Sequence, residues 1–270
     1  MSWKKILNLP NAIRLARQAP KDVDGRWDRY WADVKVTGSH GDVLWDPEGP
    51  EEAQSYVDHL RRTADPSLPV VDAGCGNGRI TRMLAAEYPS AIGIDLAPHA
   101  ISRAEEESRG IDNISFRALD LTTAGLGRQL AAELGEVNVL VRGVLHTLSR
   151  TDATALATNL REMLGRGGTL LLAETNFLGG GLAYLEHLGA TPTQMPPPLA
   201  RAVATGIPVP ASFGGPQLAQ CFPADQWQVL LSGVASISTV PMREPDVPEQ
   251  IPGFLALLRT RGLDADASPA

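Results

Sequence analysis

The residues whose types and spacing could do chemistry are Asp72, the glycines of "GCGNG" (74–78), Asp95 and His146. The stretch "VVDAGCGNGRI" (70–80) runs an apolar strand into a glycine turn and then into a helix, the arrangement in which backbone amides approach a nucleotide. A dinucleotide fingerprint needs G-x-G-x-x-G, but the spacing here is G-x-G-x-G, with Arg79 where the third glycine would stand. Asp72 lies two residues before Gly74; a carboxylate there repels a pyrophosphate and suits a cation. Asp95, 17 residues beyond Gly78, ends the next strand and is spaced to accept hydrogen bonds from ribose hydroxyls. One acid for a cation and one for a ribose describe a sulfonium nucleoside. His146, in "RGVLHTL", follows the fourth strand, where a parallel sheet opens its reacting centre. Histidine titrates near neutrality and suits deprotonation of a thiol, phenol or amine; a packing role is the other reading.

These residues need a sheet to hold them. "EEAQSYVDHLRRTA" (51–64) has helical spacing, with acids first and arginines last. Strands are expected at about 69–73, in "SAIGIDLA", in "ISFRALDL" (114–121), in "VNVLVRG" (137–143) and in "TLLLAET". Helices alternate with them at about 79–88, from Pro98 to about 109, at 124–135 and at 151–165. Such alternation predicts a parallel sheet covered by helices on both faces. After Asn176 a Gly- and Pro-rich stretch reads as an insertion with short helices, either a lid over a pocket or a surface loop. "ASISTVPM" and "GFLALLRTR" are expected as two closing strands.

Composition narrows the function classes. A chain of 270 residues, 43 % hydrophobic, can close one large core with an appendage. A formal charge of −7 supplies no global field for DNA or RNA. Cys75 and Cys221 are the two cysteines, too few for a disulfide framework or a cysteine-rich metal cluster; no metal is expected, and a reducing cytoplasm fits. All four lysines (Lys4, Lys5, Lys21, Lys35) precede the glycine turn, which disfavours a P-loop or Schiff-base chemistry on the sheet. No apolar run approaches a membrane span. "MSWKKILNLPNAIRLARQ" is expected as an N-terminal helix packed on the body, with a membrane-surface helix as the alternative.

The sequence strongly resembles the class I S-adenosylmethionine-dependent methyltransferases. "VVDAGCGNGR", "IGIDLAPHAI" and "FRALDL" match the family's first three motifs in order and spacing, over about residues 68–176. The resemblance implies a Rossmann-like α/β fold whose seven-stranded, mostly parallel sheet lies between helices in the order 3-2-1-4-5-7-6, with strand seven antiparallel. It implies S-adenosylmethionine as cofactor. Asp72, Gly74, Cys75, Gly76 and Gly78 would hold its methionine part, and Asp95 its ribose, with Leu96 beside the adenine. Asp120 would accept from the adenine amino group, with Leu121 next to it; capping the following loop is the other reading of Asp120. Arg142 and Gly143 would line the methionine end by their backbone.

The acceptor site is less constrained. Trp27, Tyr30, Trp31 and Trp45 crowd into a chain only 5 % aromatic. An aromatic face attracts a sulfonium and excludes water, and core packing explains the rings equally well. The tryptophan pair resembles the N-terminal segment of thiopurine-type thiol methyltransferases. Glu174 and Asn176, ending strand five, are candidates for orienting the acceptor. The organisation expected is an N-terminal helical cap and acceptor segment (1–66), a cofactor-binding core (67–176), a lid insertion after strand five (177–225), the C-terminal part of the sheet (226–262) and a disordered tail (263–270). The function expected is methylation of a small molecule, with thiol or hydroxyl acceptors preferred and no nucleic-acid or membrane partner. Alternatives are a cofactor-binding regulatory domain without turnover, a nucleic-acid methyltransferase, which "VRGVLH" after strand four disfavours, and a nicotinamide-dependent reductase, which the glycine spacing disfavours.

Overall fold

The computed structural model describes residues 25–262 apart from 39, 47, 48 and 192. The expected helix within the first 18 residues and the expected tail at 263–270 lie outside the described residues. Helix α1 spans Arg26–Asp33 and α2 Glu51–Thr63. The alternating core follows as β1 (Val70–Ala73), α3 (Arg79–Ala85), β2 (Ala91–Asp95), α4 (Pro98–Glu107), β3 (Ile114–Ala118), α5 (Leu126–Leu134), β4 (Asn138–Arg142), α6 (Arg150–Leu164) and β5 (Leu170–Thr175). Three short helices then intervene, α7 (Gly181–His187), α8 (Pro197–Ala204) and α9 (Gly215–Cys221), before β6 (Trp227–Glu244) and β7 (Val247–Thr260) close the sheet.

The strand order is β3-β2-β1-β4-β5-β7-β6; the first five strands are parallel, and β7 runs antiparallel to both β5 and β6. The order reverses between β1 and β4, so their carboxyl ends diverge around a crevice. Alternate residues of the central strands feed two cores. Leu140 and Leu171 pack toward α2 and the insertion, and Val139, Val141, Leu170 and Leu172 pack toward α5 and α6. Continuous Val, Leu and Ile runs suit strands buried on both faces.

The closing strands are much longer than the two segments expected. Pro241, Pro248 and Pro252 break the alternation in the sequence, yet they sit where an arm of the hairpin extends past β5, and register shifts flank Pro241. Proline is tolerated at edges and bulges because the missing N–H costs no ladder bond there. The arm reaches over the N-terminal segment, where the Val240 N–H donates to the Leu44 carbonyl at 3.0 Å.

A buried ion pair joins α2 to the sheet. Glu52 Oε1 accepts from Arg142 Nε at 2.7 Å and from the Tyr56 hydroxyl at 2.7 Å, while the Ser238 N–H donates to Oε2 at 2.5 Å. Burial pushes the Glu52 carboxyl upward, but Arg142, Tyr56 and Ser238 together outweigh it and hold the group below its ordinary value. The remaining Arg142 donors reach the Trp45 and Ser238 carbonyls. Glu52→Ala strands the guanidinium without its charge partner and is expected to cost about 3–5 kcal/mol. Urea unfolding measures it; an unchanged midpoint would show that the pair contributes nothing to holding the N-terminal segment.

Candidate active site

The glycine turn is built to let other groups come close. Gly76 has φ +55°, and a Cβ there would lie 2.7 Å from the Trp31 ring, so α1 seals the turn from outside. Gly78, at φ +72°, would meet the Phe116 ring at 2.6 Å; it packs α3 onto the sheet and does not face the crevice. The amides of Gly74 and Cys75 both donate to the Ile94 carbonyl, at 2.7 and 3.1 Å, which fastens the turn to β2.

Two carboxylates flank this turn, Asp72 buried and Asp95 half-buried. Asp95 accepts from the Gly76 N–H and the Ala97 N–H, each at 2.9 Å. Burial raises its pKa, against these amide bonds. Asp72, at the end of β1, accepts from the Thr81 hydroxyl at 2.6 Å. Burial pushes its pKa up to about 6, with the nearby Asp95 adding to the effect and Thr81 opposing it. A carboxylate that is costly to ionise in isolation, facing a crevice, fits a ligand that brings positive charge.

A cavity of about 240 Å³ opens from the turn. Of the residues singled out from sequence, Asp72, Gly74, Cys75, Gly76, Asp95, Leu96, Asp120, Leu121, Arg142, Gly143 and His146 line it together with Trp27, Trp31 and Trp45. Gly78, Tyr30, Glu174 and Asn176 do not. Tyr30 is fully buried, its hydroxyl bonded to the Leu44 N–H and the Asp42 carbonyl, and it stacks on Trp45 with ring centroids 5.0 Å apart. The Asn176 side chain lies against Gly214 at the start of α9. Asp120 accepts from both the N–H and the hydroxyl of Thr122, so a loop-capping bond is present at this cavity-lining residue.

Glu174 takes a different position from the one expected. It is fully buried beneath the loop after β4, where its carboxylate accepts from the N–H groups of Val144, Leu145 and His146 at 2.9–3.2 Å. It also lies 2.6 Å from His146 Nδ1. The Thr175 N–H approaches the same ring nitrogen at 3.4 Å, too long to compete with the carboxylate. A carboxylate at this distance calls for a proton on Nδ1, so in the neutral ring the lone pair lies on Nε2.

Several lining residues escaped the sequence reading. Asp46 accepts from Arg79 at 3.1 Å, from the Gly38 N–H at 2.7 Å and from Asn77 at 3.3 Å, and so ties the N-terminal segment to the turn. Glu52 and Thr175 also face the cavity. Neighbouring signals existed only for Asn77 and Arg79, which sit within the glycine motif itself. The insertion supplies an apolar wall that includes Leu185, Leu199, Val203 and Ile207. Its Ala211 N–H donates to the His146 carbonyl at 3.2 Å. Among the described residues no helix is long and apolar enough to cross a membrane.

Comparison with known proteins agrees with this geometry. Residues 70–168 match the family described as methyltransferase domain. A ubiquinone biosynthesis O-methyltransferase from Methylococcus capsulatus is 35 % identical over 53 % of this chain and 61 % of its own length. A 2-methyl-6-phytyl-1,4-hydroquinone methyltransferase from Synechocystis is 33 % identical over 57 % of this chain and 48 % of its own. The alignments thus span about half to three fifths of these curated relatives. A crystal structure of an S-adenosylmethionine-dependent methyltransferase from Anabaena variabilis superposes with a TM-score of 0.75 at 27 % identity, covering 90 % of this chain and 97 % of that one. The strand order, the glycine turn with its two acids and these matches together liken the chain to the class I S-adenosylmethionine-dependent methyltransferases, and S-adenosylmethionine is the cofactor that this likeness indicates.

Proposed function

We propose that this protein is an enzyme that methylates a small, largely apolar molecule at a hydroxyl or thiol, with the hydroxyl favoured. The observation that supports this reading is that one cavity joins an acid-lined end at the glycine turn to an apolar end under the insertion, with His146 on its wall. The name of the Methylococcus relative, an O-methyltransferase, favours oxygen over sulfur.

In this reading Asp72 and the close-packed backbone of Gly74–Gly76 border the methionine part of the cofactor, and Asp95 receives the ribose hydroxyls on lone pairs that its two amide bonds leave open. Leu96, Asp120 and Leu121 surround the adenine, and Arg142 and Gly143 border the methionine end. Trp27, Trp31 and Trp45 shield the reacting centre from water. Bound cofactor supplies an electrophilic methyl on a sulfonium. His146 Nε2 takes the proton from the acceptor hydroxyl as the oxygen becomes nucleophilic, and the imidazolium so formed is stabilised by Glu174 at Nδ1. Glu174 is thus a positioning residue rather than an acceptor ligand. The residues from 177 to 225 act as the lid over the acceptor end.

Three outcomes are expected. Asp95→Ala weakens S-adenosylmethionine binding by about 2–3 kcal/mol in calorimetry, through the loss of charge-assisted hydrogen bonds; an unchanged Kd would remove the ribose assignment. Asp72, with its pKa near 6, is protonated in the free protein below that pH, and a cationic ligand selects the ionised form. Affinity should therefore climb as pH rises toward 6, by up to about tenfold per pH unit, and level off above it. Asp72→Asn should bind weakly and without that slope. The same raised pKa means that Asp72 costs folding stability as pH rises from about 4 to about 6. Finally, a screen of phenols, alkyl thiols and amines, read by release of S-adenosylhomocysteine, should show turnover on phenols or thiols. His146→Ala should lower that turnover by about 100-fold or more with cofactor affinity intact. Turnover confined to amines, or turnover that survives in His146→Ala at all pH values, would contradict the assignment.

A further inference from the structure

One side chain of the insertion has no part in the chemistry described so far. Tyr184 lies in α7, is only 5 % exposed and lines the cavity. Its hydroxyl has no hydrogen-bond partner among the described residues, and burial alone pushes its pKa upward, with no neighbouring charge or bond contributing. Buried tyrosine hydroxyls ordinarily find a partner, and leaving one unmade is costly. Tyr30 and Tyr56 follow that rule, through Leu44 and Asp42 and through Glu52. Tyr88 does not, but it is enclosed away from the cavity, where no ligand could reach it.

The ring of Tyr184 is also held in place. Phe177 packs edge-on against it with centroids 5.5 Å apart. The end of α7 is fastened to the β6–β7 arm, where His187 Nε2 lies 2.7 Å from the Gln250 carbonyl and Arg243 donates to the carbonyls of Glu186 and His187. A rigidly presented, unpartnered donor in an apolar wall is how binding sites fix the orientation of a small molecule.

The charged groups of the cavity limit what that molecule is. Arg142 is committed to Glu52 and Arg79 to Asp46, while Asp72 and Asp95 sit at the glycine turn. Among the described residues, both arginines that line the cavity are therefore already paired with carboxylates and are poorly placed to neutralise an anionic substrate. We propose that Tyr184 is a specificity-determining residue whose hydroxyl bonds a second oxygen on the acceptor, distinct from the atom that is methylated. The acceptor class is then an uncharged, largely apolar molecule bearing the reacting hydroxyl and a further hydroxyl, ether or carbonyl oxygen. This inference rests on the methyltransferase reading given above.

The test uses full-length protein loaded with S-adenosylhomocysteine, so that acceptor binding is read by calorimetry without turnover. The probes are butylphenol and the butyl derivatives of catechol, resorcinol and hydroquinone, which place a second oxygen at each ring position. At least one of the dioxygenated probes should bind about tenfold tighter than butylphenol, the worth of one hydrogen bond. In Tyr184→Phe that gap should close to within about twofold while the Kd of S-adenosylhomocysteine stays constant. A preference retained in Tyr184→Phe overturns the proposal. So does equal binding of all four probes to the unsubstituted protein. Weakened S-adenosylhomocysteine binding in the variant would overturn it by placing the hydroxyl at the cofactor. Absence of binding by every probe to the loaded protein refutes the acceptor class and leaves the cofactor assignment standing. Failure of S-adenosylhomocysteine itself to bind sinks the methyltransferase reading and this inference with it.

Discussion

A carboxylate drawn out of water at the carboxyl edge of a sheet must be compensated, and the site depends on how two buried ones and one half-buried one are. Glu174 is satisfied within the protein by three amides and the His146 ring, and the result is a fixed loop with a defined histidine tautomer. Asp95 is satisfied in part, by two amides that also pin the glycine turn. Asp72 has the Thr81 hydroxyl and a pKa pushed up to about 6, so its compensation is left to what enters the cavity. The gradient from satisfied to unsatisfied runs from structural group to ligand group.

Three separate stretches of chain close over that edge. The N-terminal segment brings Trp31 against Gly76 and Asp46 against Arg79. The β6–β7 arm reaches Leu44 through Val240. The insertion reaches His146 through Ala211 and the N-terminal segment through Arg201, which pairs with Asp42 at 2.7 Å and donates to the Asp33 carbonyl. Two of these closing contacts are ion pairs, Arg79 with the buried carboxylate of Asp46 and Arg201 with the partly exposed Asp42, and beneath them the Glu52–Arg142 pair is buried on both sides.

What was legible in the sequence was local. The central strands announced themselves as apolar runs, and the glycine turn, Asp72 and Asp95 stood within two short motifs whose spacing has a direct geometric meaning. The strand order and the antiparallel seventh strand came through family resemblance, and the structure has both. Long-range pairing was illegible. Glu174 looked like a strand-end ligand because its partners lie 28 to 30 residues earlier in the chain, and Glu52 looked like a helix-dipole acid because Arg142 lies 90 residues away. Tyr30 could not be told from its cavity-lining neighbours, since all four aromatic rings share one short stretch. The closing strands were cut short by prolines whose tolerance depends on an edge position that no local pattern reveals.

If the cavity above β1 and β2 holds S-adenosylmethionine, calorimetric titration of the unsubstituted protein with that compound at neutral pH is the measurement to make first. One-to-one binding in the micromolar range is expected, displaced by S-adenosylhomocysteine and unaffected by a nicotinamide dinucleotide. No detectable binding by properly folded protein, or binding of the dinucleotide in its place, would contradict it.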